Sequence, residues 1–155
     1  MIVLKIKKLN NKAKIPILAT DGSACFDLST VEDVMITKGR LVKVHTGIAV
    51  EIPAGYCIEV YPRSGIAGRG VIIPNSPAII DSDYRGELMI NMYGLFVERI
   101  ESFGAGSRIA QARLVKTVPT IIKVVSHLSD TNRVEGGFGS TGVKDLQIVA
   151  ENTKE

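Results

Sequence analysis

Three features of the sequence predict a mainly β protein of the sandwich or barrel kind. Valine and isoleucine recur along the whole chain, and glycine and proline cut it into short pieces. No stretch has the spacing of a three-turn amphipathic helix. The 155 residues suffice for one domain that buries roughly two-thirds of its unfolded surface. No internal boundary invites a second domain.

Residues 2–6 read as a first strand. Residues 41–52 read as one or two more, closed by the turn Pro53-Ala54-Gly55. Residues 56–61 alternate, with Tyr56, Ile58 and Val60 opposite Cys57, Glu59 and Tyr61; Pro62 ends this strand because proline removes a ladder donor. Residues 64–70 contain three glycines and support no more than a short helical turn. Ile79-Ile80 and residues 87–92 flank the polar Ser82-Asp83-Tyr84-Arg85-Gly86 and read as a hairpin. Residues 109–118 and 120–125 supply the last strands. After Val125 the chain turns polar, and residues 133–142 are too rich in glycine to pack as a strand. The expected division is a β domain over residues 1–132 and a flexible C-terminal arm over 133–155.

A balance of 19 Lys and Arg against 16 Asp and Glu gives +3, too mild to imply a nucleic-acid surface. Stacking platforms are scarce, with no Trp, four Tyr and four Phe. Cys25 and Cys57 have no paired-ligand spacing for zinc, and His45 and His127 form no ligand cluster. The apolar N-terminal run has its lysines inside and after it, unlike a secretory signal, and no stretch reaches membrane-spanning length. A soluble, cytoplasmic or otherwise intracellular protein is expected, with no nucleic-acid or membrane partner.

Five segments carry candidate chemistry. In Arg133-Val134-Glu135-Gly136-Gly137-Phe138-Gly139-Ser140-Thr141-Gly142, accessible amides, two hydroxyls and a guanidinium surround one aromatic ring. That set suits a flap over a nucleotide, with the ring on a base and the donors on phosphates; a disordered glycine-rich tail would have the same composition. Tyr61-Pro62-Arg63-Ser64-Gly65 offers a guanidinium, a hydroxyl and an open amide in succession, either a phosphate cradle or an ordinary strand-ending turn. It is not a P-loop, since no lysine follows in the required frame. Asp81-Ser82-Asp83-Tyr84-Arg85-Gly86 holds two carboxylates, either of which would align and deprotonate a water or simply solvate a turn. Asp81 is the better base, because it follows Ile79-Ile80 and so stays near the sheet. Arg108-Ile109-Ala110-Gln111 enters a strand, where Gln111 would reach a phosphate and Arg108 would form an ion pair beneath it. Asp27 is a strand-end residue or an outer partner of metal-bound water.

Taken together, these five segments resemble the five ordered motifs of the trimeric deoxyuridine triphosphatase family, over about residues 1 to 142. The resemblance implies a distorted β-barrel or jelly-roll of the β-clip type with a flexible C-terminal arm. It also implies hydrolysis of dUTP to dUMP and pyrophosphate by water attack on the α-phosphorus, lowering dUTP and supplying the dTTP precursor. By it, Asp81 is the general base and Tyr84 packs on the deoxyribose, where a ribose 2′-hydroxyl would collide. The backbone from Ala78 to Met89 pairs with the uracil edge, and Asn75 reaches O4 through water. Arg63, Ser64, Gly65 and Gln111 hold the phosphates. Asp27 anchors a water in the outer shell of Mg²⁺, which the triphosphate itself mainly binds. Phe138 stacks over uracil, Gly139 beside it binds substrate, and Arg133, Ser140 and Thr141 close on the β- and γ-phosphates. The resemblance further implies a homotrimer with three shared sites, to which a regulatory protein partner would be an addition that no residue specifies. Cys25, Ala78 and Val134 stand where the family usually has glycine. The same fold serves dCTP deaminases, but the Pro-Arg-Ser-Gly turn and the Gly-Phe-Gly-Ser-Thr-Gly arm favour dUTP hydrolysis.

Overall fold

The computed structural model describes residues 2–137, which separate into two units, Met1–Pro119 and Thr120–Glu155. Among the described residues the first unit holds every strand: β1 (Lys5–Lys8), β2 (Phe26–Ser29), β3 (Val34–Ile36), β4 (Leu41–Glu51), β5 (Tyr56–Tyr61), β6 (Val71–Ile72), β7 (Ala78–Ile80), β8 (Glu87–Gly94), β9 (Glu101–Phe103) and β10 (Arg108–Lys116). One four-residue helix, α1 (Ser64–Ala67), follows β5. Two four-stranded sheets, in the orders β1-β4-β8-β6 and β2-β10-β5-β7, and the pair β3-β9 make up the jelly-roll.

Alternation decides which residues reach the core. In β8, Leu88, Ile90 and Met92 are buried while Glu87, Met89 and Asn91 face outward. In the other sheet Ile58 and Val60 of β5 and Ala110 and Ala112 of β10 are buried. All of these inward residues belong to one cluster drawn from both sheets, as a two-layer β architecture requires.

Three sequence expectations need correction. The first strand is Lys5–Lys8 rather than residues 2–6, paired Lys5↔Glu51 through Lys8↔Ile48. Residues 79–80 and 87–92 are not a hairpin: β7 pairs with β5, β8 pairs with β4, and residues 81–86 cross from one sheet to the other. Residues 120–125 form no strand. Ile121, Ile122 and Val124 are 92–95% exposed, so the apolar composition that suggested a strand is not matched by the burial that favours one.

β4 runs unbroken where one or two strands were expected, and it does so by bulging. His45 lies opposite Met89 and Ala49 opposite Glu87, so three residues of β4 face Leu88 alone. Gly47 makes the bulge possible at φ +69, and a Cβ there would come within 2.7 Å of Val31 and 2.9 Å of Asn10. Gly47→Ala is therefore expected to destabilise the fold by more than about 1 kcal/mol, read as a lower urea midpoint at unchanged m-value.

In the second unit, residues 131–136 close a turn through Val134 N–H to the Thr131 carbonyl (3.1 Å) and Gly136 N–H to the Arg133 carbonyl (2.9 Å). Val134 has φ +49, a left-handed conformation that costs an L residue roughly 1–2 kcal/mol. That backbone explains why the related motif usually has glycine here.

Candidate active site

The first candidate cleft, about 510 Å³, forms where β2, β10 and β5 run side by side. Register builds it. Gln111 of β10 lies opposite Asp27 on one side and Tyr61 on the other, and directly opposed residues project from the same face. The chain then turns at Pro62, and Arg63 folds back over that face. Its Nε meets Asp27 Oδ1 at 2.8 Å and its Nη1 donates to the Arg108 carbonyl at 3.2 Å. Arg108 Nη1 reaches the other Asp27 oxygen at 3.0 Å. Asp27, 18% exposed, thus holds two guanidinium groups at the cleft, and Gln111 Nε2 is fixed on the Pro62 carbonyl at 2.9 Å. Ser64 and Gly65 line it too, with Ala19, Ser23, Ala24 and Cys25, and as the first residues of α1 the Ser64 and Gly65 amides have no acceptor within the helix. This is a pocket of preoriented donors, suited to phosphate oxygens. Arg108 has the ion pair that the sequence suggested, and its partner is Asp27.

Beside this row, Glu59 and Arg113 are cross-strand partners, and Arg113 donates to Glu59 through Nε (3.1 Å) and Nη2 (3.0 Å). The Tyr61 hydroxyl also donates to Glu59. Hydrogen bonds from Tyr61 and then Arg113 hold the Glu59 carboxyl below its ordinary range, and the Glu59 bond pushes the Tyr61 phenol up.

The second cleft, about 250 Å³, exists because β7 and β8 splay apart into different sheets. β7 is the last strand of its sheet, and β8 meets β6 only at Tyr93 and Gly94. Both strands therefore present main-chain edges toward the cleft. Asp81 enters it directly after β7, as expected of a residue near the sheet, and Tyr84 and Met89 line it with Glu87, Asn91 and Lys43. Tyr84 is 39% exposed. Its hydroxyl donates to the Glu87 carbonyl at 3.0 Å, and its ring lies so close over Gly86 that a Cβ there would meet the phenol oxygen at 2.4 Å. Arg85 Nη1 braces the crossover through the Ser82 (2.7 Å) and Tyr84 (2.9 Å) carbonyls.

The sequence-chosen residues thus gather in two groups, Asp27, Arg63, Ser64, Gly65 and Gln111 in one cleft and Asp81, Tyr84 and Met89 in the other. Asn75 sits exposed in the turn before β7. The Ala78 methyl packs against the core, so this departure from glycine adds no bulk to the second cleft. Arg133 Nε donates to the Gly136 carbonyl at 2.7 Å. Phe138, Gly139, Ser140 and Thr141 lie outside the described residues. Sequence reasoning missed Glu87, Asn91 and Lys43. The first two continue the outward alternation of β8 from Met89, a signal that was present; Lys43 arrives through its pairing with Asn91, which no local pattern gives.

The family model described as dUTPase matches residues 11–142. The deoxyuridine 5′-triphosphate nucleotidohydrolase of Nautilia profundicola is 46% identical over 140 residues, covering 90% of this chain and 98% of that protein. The solved dUTPase of Staphylococcus bacteriophage 80alpha with dUPNHPP has a TM-score of 0.79 at 27% identity, covering 91% of this chain and 99% of that one. A variant dUTPase from phage phi11 of S. aureus, whose structure describes coordination of a structural Mg(II) ion, shares the fold at TM-score 0.73 and 22% identity, covering 81% of this chain and 97% of that one. With that match across the motif-bearing residues and both clefts, the chain belongs to the dUTPase family and hydrolyses dUTP to dUMP and pyrophosphate.

Proposed function

We propose that hydrolysis proceeds by attack of an Asp81-aligned water on the α-phosphorus, in sites that three copies of the chain build together. The register of β7 on β5 is the observation that supports sharing. Ile80 lies opposite Ile58 and Ala78 opposite Val60, so Asp81 continues beside Cys57, whereas Arg63 follows the far end of β5. Six residues of extended chain span roughly 20 Å, while a general base works within about 3 Å of its water. The Asp81 cleft of one copy must therefore meet the Arg63 cleft of another. Such a head-to-tail contact makes a ring where its rotation closes, and the family resemblance makes that ring a homotrimer.

In this reading uracil lies between the free edges of β7 and β8 and pairs with the backbone from Ala78 to Met89, with Asn75 reaching O4 through water. Cytosine presents the reversed donor pattern, which a polar pocket rejects strongly, and the thymine methyl lacks space. Tyr84 lies on the deoxyribose. Arg63, Ser64, Gly65 and Gln111 from the neighbouring copy hold the phosphates. The arm, residues 133–155, comes from the third copy: Phe138 and Gly139 cover the base, and Arg133, Ser140 and Thr141 close on the outer phosphates. Closure expels water and leaves the donors preoriented toward the charge that accumulates in the transition state. Asp81 takes the proton of the attacking water, and pyrophosphate leaves.

Among the described residues no group of three or more His, Cys, Asp or Glu side chains could hold a metal ion. Asp27 is the carboxylate of the first cleft, and its oxygens keep lone pairs for a water beyond the two guanidinium contacts. Those donors fit Mg²⁺, which retains waters and binds substrate phosphates, with Asp27 in its outer shell. When bound, Mg²⁺ would offset phosphate charge. No described helix is long and apolar enough to cross a membrane, and two free cysteines fit a reducing cytoplasm.

Turnover in ¹⁸O-water, with dUTP beside dTTP, dCTP and UTP and with and without Mg²⁺, tests the reaction. The expected result is Mg²⁺-dependent turnover of dUTP with the label in dUMP. Label in pyrophosphate would place attack on the β-phosphorus and remove Asp81 from its role; ammonia from dCTP would point to deamination.

A further inference from the structure

We propose that Glu87, backed by His45, is a positioning residue that fixes the Tyr84 ring and thereby sets discrimination against ribonucleotides. The inference rests on the reading above that Tyr84 excludes a 2′-hydroxyl.

The link starts at the β4 bulge. Where three residues of β4 face Leu88 alone, a regular ladder is impossible, and side chains close the gap instead. The Thr46 hydroxyl donates to the Leu88 carbonyl at 2.5 Å. Gly47 N–H donates to Glu87 Oε1 at 2.7 Å, and His45 Nδ1 meets Glu87 Oε2 at 2.9 Å. The same residue receives the Tyr84 hydroxyl on its main-chain carbonyl at 3.0 Å. Glu87 is therefore one link with two ends: its carbonyl holds the sugar-facing ring, and its carboxylate is held by β4. The bare Gly86 between them lets the ring lie close enough to make that bond. Both Glu87 and Tyr84 line the second cleft, so any loosening of Glu87 is felt where the sugar sits.

His45 makes the link sensitive to pH. The charged groups facing it are Glu87 from β8, Glu32 from the segment before β3, and Lys43 along its own strand. The Glu32 carboxylate also accepts the His45 backbone N–H at 3.3 Å. Two carboxylates against one ammonium favour the imidazolium. The hydrogen bond to Glu87, more than the opposing burial, holds the His45 imidazole above its ordinary 6.5. Burial alone would push the Glu87 carboxyl up, but the bonds from His45 and Gly47 outweigh it and hold it low. Because the histidine value is raised on folding, the charged pair is complete below the ordinary histidine range. It is lost as pH rises through the raised value. Neutral His45 can still donate through Nδ1, but without the charge that roughly doubles the strength of such a bond.

The test compares kcat/KM for dUTP with kcat/KM for UTP, so that steps common to both substrates cancel, from about pH 6 to about pH 9. The parent protein is measured beside Glu87→Gln, His45→Gln, His45→Arg and Tyr84→Leu. Glu87→Gln keeps an acceptor for Gly47 N–H, and its melting temperature checks that it folds. The expected result is a dUTP/UTP ratio that falls several-fold as pH rises in the parent. In Glu87→Gln and His45→Gln it is lower by about tenfold and flat with pH. The permanently charged His45→Arg keeps it high and flat. A parent ratio that does not move with pH, and is matched by Glu87→Gln and His45→Gln while Tyr84→Leu loses selectivity, would overturn the positioning role and leave the reading of Tyr84 standing. Undiminished selectivity in Tyr84→Leu would sink that reading and this inference with it.

Discussion

Replacing Asp81 by asparagine is expected to lower kcat by about 10²- to 10⁴-fold and to leave the Kd of a non-hydrolysable dUTP analogue close to that of the parent. The side chain enters the second cleft straight from β7 and stays exposed, so the amide fits without repacking. Its carbonyl accepts the Tyr84 N–H at 3.2 Å, a backbone contact that the substitution does not touch. Turn geometry and the Tyr84 ring are thus preserved, and what disappears is the ability to take a proton. An amide can still align the water, which is why some turnover remains. A loss carried by KM with kcat unchanged would make Asp81 a binding group instead.

Removing residues 133–155 is expected to cost at least about 10²-fold in kcat/KM while the oligomer persists. The arm brings one aromatic ring and several donors, and losing a single preoriented donor at an oxyanion commonly costs that much. The first unit, Met1–Pro119, contains every strand of the described residues and the buried cluster, so the truncated chain retains what folds it. Light scattering checks the mass, and steady-state kinetics the activity. Full activity in the truncation would make the arm dispensable. Collapse of the oligomer would assign the arm to assembly rather than closure.

Several elements were legible from the sequence for reasons that the structure repeats. β5 was readable because Ile58 and Val60 face the core at a period of two and Pro62 stops the ladder. α1 was readable as a single turn because glycine at 65, 68 and 70 leaves no room for more. The supposed hairpin was misread because nearness in sequence suggests pairing. The partner is chosen by which sheet edge is open: β7 finds β5, β8 finds β4. That misreading matters for function, since strands that paired would leave no cleft between them. The β4 bulge was hidden for a similar reason. Thr46 and Gly47 look like ordinary strand and turn residues until they and Ile48 together stand opposite Leu88. At the site, the motifs named residues that the structure gathers in two clefts. They did not reveal that Asp27 ties Arg63 to Arg108, because that contact is made by register across β2, β10 and β5. Nor could they reveal that Asp81 and Arg63 stand at opposite ends of one strand pair.

That separation permits a decisive mixing experiment. Asp81→Asn and Arg63→Ala chains, each expected to keep at most about a hundredth of parental turnover alone, are co-refolded in equal amounts, and mixed trimers are verified by mass. If one copy gives Asp81 and the next gives Arg63, about one site in four in a random mixture regains both groups, and about a quarter of parental activity returns. Mixed trimers that stay as inactive as their parents would mean that Asp81 and Arg63 serve the same site from the same chain, and the shared-site account would fail.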